Sequence, residues 1–174
     1  MSSYIGRHAE LYDIFYADKP YRKEAEFVAE MLERYSVSRT AGKNMLELAC
    51  GTGSHALIFS EMGFDVTAVD YSAYMLECAR NKAEGSSSNI RFIEGDMRQL
   101  DAIPEIAGQQ FDVVVCLFDS IGYTLRNEDI NKTLAGVHSV LKTGGIFCAE
   151  YWHAAAMLKN YSPVRVRRWQ LPDR

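Results

Sequence analysis

Leu46-Glu47-Leu48-Ala49-Cys50-Gly51-Thr52-Gly53 is a short, nearly continuous apolar run that breaks into two glycines, and Ser54 to Met62 then follow with helical character up to Gly63. A buried strand turning sharply into a helix has this pattern. Gly51 and Gly53 carry no Cβ, so the backbone there turns tightly and a ligand can lie against it, under the free N–H groups of the next helix.

Working outward, four more apolar runs, at 66–69, 90–93, 113–117 and 146–150, alternate with helix-period segments. With the first strand at 45–49, this spacing predicts βαβ units: an α/β, Rossmann-like, doubly wound and mainly parallel sheet with helices on both faces. Ser72 is placed to cap a helix with Met75, Leu76 and Ala79 inward. A later helix over 127–141 carries the stripe Ile130, Leu134, Val137 and Leu141 and is closed by Gly144-Gly145. Ahead of the sheet, Phe27, Val28, Met31, Leu32 and Tyr35 form one helical face behind the aromatics Tyr12, Phe15, Tyr16 and Tyr21. That arm either packs across the ligand crevice or only staples the helix to the sheet.

The composition narrows the class. At 174 residues and 48% apolar, the chain suits one ordinary domain, and no run approaches the ~20 apolar residues of a membrane span. The first residues show no basic-then-apolar leader, so a cytoplasmic location is expected. A net charge of −4 argues against a nucleic-acid partner. The tail from Tyr151 holds five Lys or Arg against one Asp, +4, which leaves −8 for the preceding 150 residues. Cys50, Cys78, Cys116 and Cys148 stand far apart without CxxC spacing, which reads as reduced thiols with no metal site.

Asp70 ends the second strand seventeen residues after Gly53, where a carboxylate accepts hydrogen bonds from a ribose diol. A glycine turn with a distant acid serves NAD and S-adenosylmethionine (SAM) alike. Two features favour SAM. Glu47, within the first strand, offers a carboxylate to the ammonium of a methionine moiety, its alternative being a buried acid satisfied by backbone donors. Ala56 replaces the third glycine of a dinucleotide fingerprint, a mild indication since alanine is tolerated there.

The ordered series Leu46 to Gly53, Val69-Asp70-Tyr71-Ser72, Glu94-Gly95-Asp96-Met97-Arg98 and Phe111-Asp112-Val113-Val114-Val115-Cys116 resembles class I SAM-dependent methyltransferases over roughly residues 10 to 153. With Phe118-Asp119-Ser120-Ile121-Gly122-Tyr123, it is similar to small-molecule N-methyltransferases of amino-sugar and glycine type. The resemblance implies SAM as cofactor and a small-molecule acceptor, an amine foremost. It implies that Asp96 meets the adenine amino group with Met97 on the ring, and that Asp70 holds the ribose with Tyr71 beside the purine. Backbone at Leu117 and Phe118 would touch the methionine end, near Glu47. Ala49, Gly51, Gly53 and Met75 complete the cofactor set, and Tyr12 and Tyr21 reach it from the arm. Tyr123 and Tyr12 are the candidate groups facing the acceptor, followed by His153 and Glu150.

Family members continue past the fifth strand with a helix and two further strands, whereas here only 164–169 alternates as one extended segment. The expectation is therefore an arm over 1–42, a SAM-binding core over 43–153, and over 154–174 the start of a C-terminal or substrate-shaping region, truncated, with its strands missing. An uncovered fifth strand invites a homodimer. Two other functions remain open: a nicotinamide-dependent oxidoreductase, and a non-catalytic SAM-binding fragment.

Overall fold

A computed structural model of the chain describes residues 7–35, 43–86, 88–159, 161, 162, 164, 166 and 168. Among these residues five strands form one sheet: β1 (Asn44–Leu48), β2 (Asp65–Asp70), β3 (Arg91–Glu94), β4 (Phe111–Cys116) and β5 (Leu141–Ala149). Their order is β3-β2-β1-β4-β5 and every pair is parallel, so the expected doubly wound sheet is present. The strand order reverses between β1 and β4, which opens a crevice at their carboxyl ends.

Among the described residues six helices accompany the sheet: α1 (Arg7–Phe15), α2 (Tyr21–Tyr35), α3 (Ser54–Glu61), α4 (Ala73–Ala83), α5 (Asn127–Val140) and α6 (Ala154–Lys159). Short 3-10 segments, Met97–Ala102 and Ser120–Tyr123, follow β3 and β4. Alternate strand residues serve opposite cores because the side-chain period of a strand is two. Met45, Val66, Ala68, Val113 and Val115 pack under α2, α3 and α4 through Val28, Phe59 and Leu76. Leu46, Leu48, Val69, Val114 and Cys116 pack on the other face against Val137 and Val140 of α5 and against Leu100 and Ile103. Burying both faces is why the strands read as unbroken apolar runs.

Several local signals hold. Ser72 caps α4, its Oγ accepting the Met75 N–H at 3.4 Å, and Gly63 follows α3 at φ 88°. The helix faces differ from the sequence reading. In α2 the buried stripe is Ala25, Val28 and Leu32, whereas Phe27 and Tyr35 are exposed. In α5 it is Thr133, Val137 and Val140, and Leu134 faces outward.

Val137 and Val140 of α5 pack with Leu100 and Ile103, and the end of α5 differs as well. Gly144-Gly145 does not close the helix, since α5 ends at Val140 and Leu141 already pairs with Phe111. The pairing then jumps to Val113 with Ile146, so the glycine pair forms a bulge inside β5, with Gly144 at φ 81°. A Cβ on Gly145 would stand 2.9 Å from the Lys142 carbonyl oxygen and 3.0 Å from that of Asp112. The extended segment expected over 164–169 falls partly outside the described residues; Val164 and Val166, which are described, are exposed. Among the described residues no strand pairs the outer edge of β5.

Candidate active site

The turn after β1 is left-handed at three positions: Ala49 (φ 53°), Gly51 (φ 57°) and Gly53 (φ 74°). The two glycines divide the work. A Cβ on Gly51 would meet nothing within 4 Å, so this backbone lies open to the crevice, whereas one on Gly53 would press to 3.0 Å from the Phe92 ring and 3.1 Å from the Ala79 Cβ. Gly53 therefore lets α3 start close to α4 and β3.

Asp70 Oδ2 accepts the Gly51 N–H at 2.7 Å and Oδ1 accepts the Ser72 N–H at 2.8 Å, so one carboxylate ties the turns after β1 and β2 together. Burial raises its pKa, and the two backbone N–H groups oppose the rise. It keeps further lone pairs for a hydroxyl ligand.

Beside it lies a cavity of about 650 Å³, a size suited to a small ligand. Tyr12, Ala49, Gly51, Asp70, Tyr71 and Met75 line it, together with Asp96, Met97, Phe118 and Tyr123. A recess of about 30 Å³ shares the Tyr12, Ala49, Gly51 and Phe118 walls and is lined also by Tyr21, Glu47 and Leu117. Every expected cofactor residue except Gly53 thus borders one of the two spaces. His153 and Glu150 border neither: His153 Nδ1 accepts the Ala156 N–H at 3.3 Å, and Glu150 Oε2 accepts the Phe118 N–H at 2.8 Å.

Glu47 is 2% exposed. Its Oε2 is buried without a hydrogen-bond partner among the described residues, and Oε1 stands 4.0 Å from His55 Nδ1. The reading of a carboxylate satisfied by backbone donors therefore does not hold for Oε2. Burial first, and the Asp70 charge second, push its pKa up to about 8. An orphaned buried acid at the edge of a recess fits a cationic ligand group, because burying it unpaired costs free energy that such a partner offsets.

Asp96 is differently placed. Arg98 donates to it from its backbone N–H and from Nε at 2.9 Å each, and from a terminal guanidinium nitrogen at 2.5 Å, holding its pKa below the ordinary value. Arg98 also lies 3.6 Å from Asp129.

Sequence reading missed three groups, each joined by long-range contacts that leave no local period. First, Lys19 pairs with Glu24, which bonds His55 Nε2 at 2.8 Å, while the Lys19 ammonium sits 4.4 Å from the centre of the Phe118 ring. Burial resists ionisation of Glu24, but bonds from Lys19 and His55 prevail and lower its pKa; burial lowers that of His55. Second, Asp13 of α1 accepts the Thr52 hydroxyl at 2.6 Å and pairs with Lys82 at 2.7 Å, clipping the arm to the glycine turn. Tyr12 and Tyr16 of the arm line the cavity.

Third, an aromatic wall runs Tyr12–Tyr16–Phe118–Trp152, with ring centroids 4.7, 5.0 and 6.5 Å apart. Phe118 and Asp119 are both left-handed, at φ 57° and 56°, a strain of order 1–3 kcal/mol each that clusters where sites are built.

A methyltransferase-domain family model matches residues 45–145, more than half of the chain. The chain is 32% identical over 148 residues to the dTDP-3-amino-3,4,6-trideoxy-alpha-D-glucopyranose N,N-dimethyltransferase of Streptomyces venezuelae, covering 83% of this chain and 57% of that one. It is 37% identical over 123 residues to the glycine/sarcosine N-methyltransferase of Aphanothece halophytica, covering 71% and 43%. Among solved structures it resembles SAM-bound CalS10, an amino pentose methyltransferase from Micromonospora echinaspora, with TM-score 0.70 and 27% identity, covering 88% of this chain and 59% of that one. The chain spans about half the length of the curated relatives it matches.

Proposed function

This chain belongs to the methyltransferase-domain family, and from that premise we propose that it binds SAM in the crevice and transfers a methyl group from it to a small-molecule amine. The observation that carries the reading is the recess at the glycine turn, where the buried Glu47 carboxylate has an oxygen without a partner beside the Asp70-braced backbone. The relatives' N-methyltransferase activities support an amine acceptor. The nicotinamide-dependent alternative finds no support, because the matched family and the relatives reported above are methyltransferases.

In this reading Glu47 takes the methionine ammonium, Asp70 the ribose hydroxyls and Asp96 the adenine amino group, with Met97, Tyr71 and Met75 along the ring. Gly51, Ala49, Leu117 and Phe118 offer backbone, and Tyr12 and Tyr21 close over from the arm. When bound, SAM supplies a methyl carbon made electrophilic by its sulfonium. The chain then has to orient the acceptor, exclude water and let one proton leave, and Tyr12 and Tyr123, which line the cavity, are in this proposal the groups that face the acceptor. The division into an arm (1–42), a cofactor core (43–153) and the start of a C-terminal or substrate-shaping region (154–174) belongs to the same proposal. So do a cytoplasmic location, the absence of a nucleic-acid partner and pairing of two copies at the β5 edge. Among the described residues no helix is long and apolar enough to cross a membrane.

Calorimetric titration with SAM and with NAD tests the cofactor. Methyl transfer from labelled SAM to glycine, sarcosine and a set of amino sugars tests the reaction. Binding of NAD without SAM would overturn the reading, and SAM binding without transfer to any amine would reduce it to a cofactor-binding fragment.

A further inference from the structure

Glu150 and Asp119, at the β4–β5 end of the crevice, are given no part in the reading above, yet their bonds are reciprocal. Glu150, just past β5, accepts the N–H of Phe118 in the loop after β4 at 2.8 Å. Asp119, in that loop, accepts the N–H of Trp152 in the segment after β5 at 3.0 Å. Between them, the Glu150 N–H donates to the Cys116 carbonyl at 2.9 Å. Each carboxylate thus closes onto the backbone that leaves the other strand.

What they hold is costly to hold. Phe118 and Asp119 are consecutive left-handed residues, neither a glycine, and a bulky residue in that region relaxes unless its surroundings prevent it. The Asp119 carboxylate also fills the space above Gly122, where a Cβ would come 2.9 Å from its Oδ2, one residue before Tyr123. Phe118 borders both the cavity and the recess, and its ring touches Tyr16 and Lys19 of the arm side and Trp152.

We propose that Glu150 and Asp119 form a reciprocal brace that pre-sets the Phe118 rim for SAM, so that Glu150, which borders neither space, is a positioning residue acting through the Phe118 backbone. The proposal rests on the methyltransferase reading, since SAM is the ligand whose binding it concerns. Without the brace, only a fraction of molecules holds the rim in its binding shape, and the apparent Kd rises as the inverse of that fraction. A bond from an N–H to a charged acceptor is strong enough for its loss to change that fraction about tenfold.

The test compares the wild-type chain with Glu150→Gln, Glu150→Met and Glu150→Ala, using SAM as the titrant and amide exchange at Phe118, followed by NMR without ligand, as a second readout. Gln keeps an acceptor oxygen in nearly the same shape, whereas Met keeps the length and loses the acceptor. Met and Ala are expected to raise the SAM Kd about tenfold and to speed Phe118 exchange by a similar factor, with Gln within about threefold of wild type on both. If Ala does not fold, as judged by circular dichroism, the Met and Gln pair decides. Equal SAM affinity or equal Phe118 protection in the Met and Gln variants overturns the brace. A wild-type chain that binds no SAM overturns the methyltransferase reading and this inference with it, a failure told apart because Phe118 exchange is measured without ligand.

Discussion

Adding SAM to the chain at pH 7 is expected to expel about 0.8 of a proton, and Glu47→Gln is expected to abolish that release. Burial and the Asp70 charge raise the Glu47 pKa to about 8, so at pH 7 roughly nine molecules in ten hold the acid protonated. Pairing with an ammonium requires the carboxylate, which releases about 0.9 of a proton; an α-amino group near its usual pKa takes back about 0.1. Ionising the acid one unit below its pKa weakens SAM binding about tenfold, so affinity should climb from pH 7 toward about 8 and fall again as the ligand amine deprotonates.

Stability in the absence of SAM moves the other way. Above pH 4.5 the unfolded chain has given up the Glu47 proton while the folded chain keeps it until about 8. The unfolded state then binds fewer protons, and stability drops as pH rises through this window, by up to about 1.4 kcal/mol per unit and roughly 5 kcal/mol in all. Nothing is lost from this group below 4.5. Calorimetry in buffers of different ionisation enthalpy counts the protons, and denaturant melts at several pH values compare wild type with Glu47→Gln. Equal proton counts and parallel stability curves in the two proteins would refute the assignment of Glu47.

Gly53→Ala meets both a left-handed φ and the Phe92 and Ala79 contacts, and should lower Tm by roughly 6–12 °C, against 2–4 °C for Gly51→Ala, which meets only the φ penalty; similar melts for the two would contradict the division between packing glycine and crevice glycine. Asp70→Ala should remove SAM binding and also cost about 2 kcal/mol of stability, because the Gly51 and Ser72 N–H groups lose their acceptor; Asp70→Asn should recover about half of the stability in urea titrations. Lys82→Met leaves Asp13 of the arm held by the Thr52 hydroxyl alone, and stopped-flow mixing should show SAM leaving a few times faster while global stability changes by less than about 1 kcal/mol. An unchanged dissociation rate would mean that the clip does not hold the arm.

The sheet was legible because its causes are local. A strand buried on both faces has to be apolar along its length, and a turn at its carboxyl end has to be permissive, so Leu46 to Gly53 announced both before any contact was known. Asp70 was legible from its distance along the chain, and Ser72 from its position ahead of an apolar stripe. The faces of α2 and α5 were placed less well, because a helix is rotated by what it packs on, and Phe27 and Leu134 are as apolar as the residues that turned inward. The bulge at Gly144-Gly145 escaped for a related reason: a glycine pair marks a break without saying on which side of it the strand begins.

Sequence by itself therefore determined the order of strands and helices, the glycine turn and the acids at its ends, all of which follow from propensity and period within a few residues. Only the tertiary structure decided which glycine packs and which faces the crevice, that Glu47 keeps an unpartnered oxygen, and that Asp13 reaches Lys82 and Glu150 reaches Phe118. Those outcomes depend on the distance between segments far apart in the chain, which no local pattern encodes and which packing of the whole sheet alone sets.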